Sequence, residues 1–95
     1  MKTPVIQRDH YTVYYEGIAL PDEGVMVFVH CDVYQWSPLI KRRLKADFNA
    51  LTAMRQHPVY CARHDPKQEK FIKMFGFEYS YSVPEHQIDI YVLEI

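Results

Sequence analysis

At Ser37 the periodicity of the chain changes, and that change dictates a strand, a helix and a second strand in succession. Upstream, Val25 to Tyr34 alternates, with Val25, Val27, Val29, Cys31 and Val33 on one side of a pleat and Met26, Phe28, His30, Asp32 and Tyr34 on the other. Both sides are mostly apolar near the middle, which predicts a central strand. Downstream, Ile40, Leu44, Phe48 and Leu51 recur at helical spacing, and Met54 continues the stripe. Ser37 is placed as the N-cap, where its hydroxyl can accept an orphan amide, and Pro38 follows as a first helical residue with no amide to strand. The helix must stop by Gln56 or His57, because the residue before Pro58 is pushed out of the helical region. Pro58 to Arg63 then forms a short strand. A strand reached through a helix lies parallel to the strand before it, by a right-handed crossover.

The flanking segments extend this unit. A polar lead-in precedes Tyr11 to Leu20, whose Tyr, Val and Thr content predicts a strand, and Pro21-Asp22-Glu23-Gly24 supplies turn chemistry after it. Asp65-Pro66-Lys67-Gln68 repeats the helix-start logic, Phe71, Ile72 and Phe75 give the buried stripe, and Gly76 ends the helix. Phe77, Tyr79, Tyr81 and Val83 alternate with Glu78, Ser80 and Ser82, which predicts a strand with one wet face. Pro84 to Gln87 turns the chain, and Ile88 to Ile95 closes it as a strand that needs cover on both sides. The expected order is ββαβαββ in a single domain over residues 1–95. Its class is α+β, with a mixed, mostly antiparallel twisted sheet and two helices.

Composition excludes several function classes. Eleven Lys and Arg against twelve Asp and Glu leave a net charge of −1, without the positive field of a nucleic-acid binder. The longest uninterrupted apolar run, Val25 to Val29, is far short of the ~20 residues that cross a bilayer. Two cysteines are too few for a stapled scaffold, and no charged segment followed by an apolar one opens the chain, so a cytoplasmic location with reduced thiols is expected.

One stretch carries a family resemblance. The capped helix from Asp65, running through Phe71-Ile72-Lys73-Met74-Phe75 into Gly76-Phe77-Glu78, resembles the end of the GCN5-related N-acetyltransferase (GNAT) family, in which a helix closes on Gly-Phe before the last hairpin. The order of elements over residues 11 to 95 is similar to that family without its usual first strand and opening helix pair. Such trimmed versions look like small GNAT-like proteins of tailed bacteriophages, which implies a phage protein located in host cytoplasm or virion.

The resemblance implies acetyl-CoA-dependent acyl transfer to an amine, which rests on two devices. The first is a loop of the form Gln/Arg-x-x-Gly-x-Gly/Ala whose backbone amides hold the CoA pyrophosphate. Gln35-Trp36-Ser37-Pro38-Leu39-Ile40 occupies its place: Gln35 matches, Pro38 replaces the first glycine and offers no N–H, and Ile40 puts a branched side chain where phosphate would approach. The second is a tyrosine, four residues before the glycine of the Gly-Phe pair, that protonates the leaving thiolate. Ile72 stands there and cannot donate a proton. These departures predict no catalytic residue, no cofactor and a catalytically silent interaction module. Under the alternative of a working N-acyltransferase, the side chains of Gln35, Ser37, Lys41 and Arg42 hold the CoA phosphates. Lys41, Arg42, Arg43 and Lys45 crowd the first turns of the helix, either to meet an anion or as a solvated face partly paired with Asp47.

His57, Cys61 and His64, with His30 and Cys31 on the neighbouring strand, are metal-ligand types at spacings that fit no zinc template, and Cys31 and Cys61 are expected as buried, inert thiols. The many tyrosines on a sheet without its opening helices predict a protein partner, either a second copy or a larger assembly. That partner would dock on Ile88 to Ile95 or on the aromatic side of Phe77 to Val83.

Overall fold

The computed structural model describes residues 1–21 and 24–95, so the Asp22-Glu23 part of the expected turn lies outside the described residues. Six strands are formed: β1 Lys2–Gln7, β2 Tyr11–Leu20, β3 Gly24–Val33, β4 Val59–Arg63, β5 Glu78–Val83 and β6 Ile88–Leu93. Helix α1 spans Pro38–Thr52 and helix α2 spans Glu69–Met74. The strands make one sheet in the order β1-β2-β3-β4-β6-β5. Every neighbouring pair is antiparallel except β3 and β4, which run parallel on either side of α1, as the crossover argument requires.

Both helices lie on one face. Their buried residues Leu44, Phe48 and Ile72 join Tyr11, Val13, Val29, Val59, Phe77 and Tyr91 in the larger core. A second core of Met26, Phe28 and Ile90, flanked by Tyr60, Ala62, Val83 and Ile88, contains no helical residue. The alternation along β3 places these two clusters on opposite faces of the sheet. The second face therefore has no helix over it and is roofed by its own large side chains: the Phe28 and Tyr60 rings lie 5.7 Å apart, and the Tyr81 hydroxyl reaches Met26 Sδ at 4.0 Å.

The helix starts match expectation. Ser37 Oγ accepts the Ile40 amide at 3.1 Å with Pro38 at the first position, and Asp65 with Gln68 forms a reciprocal capping box over a 3₁₀ turn, Pro66–Gln68, that leads into α2. The Gly76 backbone is left-handed at φ 90°, and its amide bonds the Lys73 carbonyl.

Four expectations are corrected. The lead-in before Tyr11 is strand β1, giving six strands instead of five. An edge strand needs backbone partners on one side only, so it tolerates Pro4 and the irregularity between Pro4 and Ile6. Met54 does not extend the α1 stripe: the helix ends at Thr52, where Arg55 turns back to donate to the Thr52 and Glu94 carbonyls, and Met54 is 87% exposed. The alternation of the fifth strand breaks at a bulge between Tyr79 and Tyr81, so Tyr79 pairs with Tyr91 on the helix side while Tyr81 pairs with Ile90 on the other. The last strand ends at Leu93 and runs inside the sheet between β4 and β5, so Ile95 is exposed and β6 has no free edge for a partner. It is nevertheless covered on both faces, with Ile90 and Tyr91 buried on opposite sides. No helix among the described residues is long and apolar enough to cross a membrane.

Candidate functional site

β2 and β3 share a ladder of ten pairs, whereas β3 and β4 share one, Phe28 with Tyr60. On the helix side of this weakly joined seam, α1 and α2 leave a space of about 220 Å³. Its lining includes Val13, Val29, Leu44, Phe48, Ile72 and Phe77, all buried, together with Phe71, Phe75 and the thiols Cys31 and Cys61. Its polar lining is Lys2, His30, Asp32 and Gln68, more exposed than the apolar wall. The wall is held by ring contacts: Phe48 meets Phe75 edge-on at 5.1 Å and Phe77 at 5.7 Å, Phe71 meets Phe75 at 5.1 Å, and Trp36 lies 5.7 Å from Phe71. Burial pushes both thiols up to about 11, and neighbouring charge adds to it, from Asp32 for Cys31 and from Cys31 for Cys61. At neutral pH both are almost wholly protonated, so they react slowly with electrophiles.

The four residues expected at a CoA pyrophosphate do not line this space. Gln35 is exposed in the loop before α1, where its amide bonds the His10 carbonyl at 3.4 Å. Ser37 is half-buried, and its hydroxyl is occupied by the Ile40 amide. Lys41 and Arg42 are exposed on the first turns of α1 and form no ion pair among the described residues. The start of α1 therefore offers no amide at Pro38 and a satisfied one at Ile40. Asp47 does not pair with the basic cluster of its own helix. It accepts from Arg8 Nε at 2.9 Å, from Arg8 Nη2 at 3.0 Å and from the Tyr11 hydroxyl at 2.5 Å, while Arg43 contributes only longer-range charge.

The histidines and cysteines are dispersed. His30 points to the helix-free side, where Nε2 lies 2.8 Å from Glu16, while Cys31 faces the helices. His57 Nδ1 lies 3.0 Å from the Pro58 carbonyl, and the His64 amide donates to Gln68. Among the described residues no three His, Cys, Asp or Glu side chains form a metal-ligand group.

The helix-free face is the other feature of functional size. Beyond its core it presents Tyr14, Ile18, Tyr34 and Tyr81, of which Tyr34 is 58% exposed and Ile18 and Tyr81 somewhat more than a third. Thr12 and Tyr34 share a 3.0 Å hydrogen bond there, and Tyr14 also bonds Tyr34. Sequence reasoning missed both this face as a unit and the Trp36–Phe71 contact. A lone tryptophan beside a helix cap was the available signal for the contact. Nothing local announces the bulge that turns Tyr81 to the helix-free side. Comparison with protein-family models, with curated proteins and with solved structures gives no match for the chain.

Proposed function

We propose that this chain is a catalytically silent interaction module of shortened GNAT-like architecture, possessing a sheet face through which two copies associate. The observation that carries the reading is the helix-free face, on which Ile18, Tyr34 and Tyr81 stay exposed around the second core of Met26, Phe28 and Ile90. The sheet order with one parallel pair at β3 and β4, and the Gly76 turn after α2, support the architecture. The closed start of α1 and the buried aliphatic Ile72 at the position of an acid support silence.

A second copy suits this face better than a strongly charged partner. Its charges are few: Glu16 is engaged by His30, and Lys2, Asp32 and Glu78 stand near strand ends. A net charge of −1 adds little repulsion between copies. Six strands about 4.8 Å apart and about 20 Å long present roughly 500 Å² per copy, so a face-to-face pair covers about 1,000 Å², the lower bound of specific interfaces. That size fits a micromolar two-fold dimer, with the same patch used by both copies. The variant Ile18→Lys/Tyr81→Lys tests it by light scattering: the wild type gives twice the monomer mass at high concentration and the variant gives the monomer mass. Equal masses for the two proteins would refute the chosen face.

A second reading, acetyl-CoA-dependent N-acyl transfer, is favoured by the space at the β3–β4 seam and by the unpaired Lys41 and Arg42. Calorimetric titration separates the two readings. The silent module gives no heat and no thermal stabilisation at millimolar acetyl-CoA, and saturable heat would restore the enzyme reading.

A further inference from the structure

We infer that the space between α1 and α2 is a binding site for a small, neutral, mostly apolar molecule. This concerns the opposite side of the sheet from the association face and goes beyond the self-association reading. Three observations lead to it. The first is volume. A dry cavity of about 150 Å³ lined by apolar side chains holds benzene, so the space of about 220 Å³ here accepts a guest of about nine non-hydrogen atoms.

The second is preorganisation. Phe48, Phe71, Phe75 and Phe77 brace one another at 5.1 to 5.7 Å, and Trp36 backs Phe71. These rings form a wall instead of collapsing into the space, although a chain of 95 residues gains most from filling its core. A preformed wall spares a ligand the cost of ordering it.

The third is charge. The deep lining is aliphatic, aromatic or thiol, and both thiols are kept protonated by burial. A charged guest would lose its hydration against that deep wall, since the charged lining residues, Lys2 and Asp32, are solvent-exposed and of opposite sign. The cationic residues Lys41 and Arg42 lie outside the lining, Pro38 has no amide and the Ile40 and Lys41 amides are bonded to Ser37, so the features that would hold a phosphate are separated from the space that would hold an apolar group.

Acetophenone and benzoate, nearly the same size and differing in charge, test this on the unmodified protein. Cys31 and Cys61 line the space, so an occupant shields them from alkylation by N-ethylmaleimide, read site by site by mass spectrometry. We expect acetophenone, at about ten times its Kd, to slow alkylation of Cys61 about tenfold and to raise the melting temperature. Benzoate at equal concentration does neither. Ile72→Trp, which fills the space, abolishes acetophenone-dependent protection, and the wild-type comparison stands whether or not that variant folds. The inference is overturned if acetophenone gives no protection, if benzoate protects equally, or if coenzyme A protects at lower concentration than acetophenone. Loss of the dimer with acetophenone protection intact would refute the association reading alone.

Discussion

Asp47 shows how much one side chain can hold here. It accepts two hydrogen bonds from Arg8 and one from Tyr11, whose side chain is fully buried, and so ties the β1–β2 turn to the middle of α1. Asp47→Ala leaves the Tyr11 hydroxyl buried without an acceptor, and we expect a loss of about 2 kcal/mol in urea unfolding. A loss below about 0.5 kcal/mol would mark the contact as an ordinary surface pair. The same contacts predict acid sensitivity. Hydrogen bonding from Arg8 holds the Asp47 carboxyl below its ordinary range, and Ser82 and then Arg63 do the same for Asp89. Their stabilisation is complete above the unfolded carboxylate pKa of about 4 and is lost as pH falls through the lower folded values. Asp47→Asn therefore flattens the acid limb of stability against pH, and an unchanged limb would contradict the assignment.

At high pH the direction reverses. The Cys31 and Cys61 thiols rise from 9.0 to about 11, so stability drains as pH climbs from 9 to 11, and Cys61→Ala shallows that slope. The thiols were legible in the sequence as neighbours on adjacent strands, although the structure leaves both half-buried where buried ones were expected. The Arg8–Asp47 pair was not, because 39 residues separate its members and local charge spacing favoured Lys41 to Lys45.

Among the elements, α1 and the turn after α2 show what sequence can state outright. Ser37, Pro38, Asp65, Gln68 and Gly76 act through their own backbone neighbours, so their roles follow from residue type and order. Gly76→Ala should cost about 1 kcal/mol by thermal unfolding, because an L side chain disfavours φ 90°. The added Cβ would meet Leu93 at an ordinary 3.5 Å, so repacking cannot account for the loss. Gln87, at φ 55° without being glycine, makes the converse case: Gln87→Gly should be neutral or slightly stabilising. A neutral Gly76→Ala would show that the turn relaxes freely. The elements that escaped prediction depend on partners. β1 is a strand because β2 offers it a ladder, and Tyr79 and Tyr81 face opposite ways because of a bulge opposite β6 that no local pattern encodes.

For the molecule as a whole, the α+β class, the parallel β3–β4 pair and the placement of α1 between them were legible, since period and crossover rules act over the whole chain. Less legible was how the fold distributes cover. Both helices fall on one side, the seam between β3 and β4 stays weakly joined, and a second apolar cluster is left to Tyr60, Ala62, Tyr81, Val83 and Ile88 around it. That asymmetry is what motivates the proposal of association without catalysis. Sedimentation equilibrium of the unmodified protein tests it most directly. The account predicts a reversible monomer–dimer equilibrium with a micromolar dissociation constant that weakens in Ile18→Lys/Tyr81→Lys. A single species of 11.4 kDa throughout tens to hundreds of micromolar would contradict it.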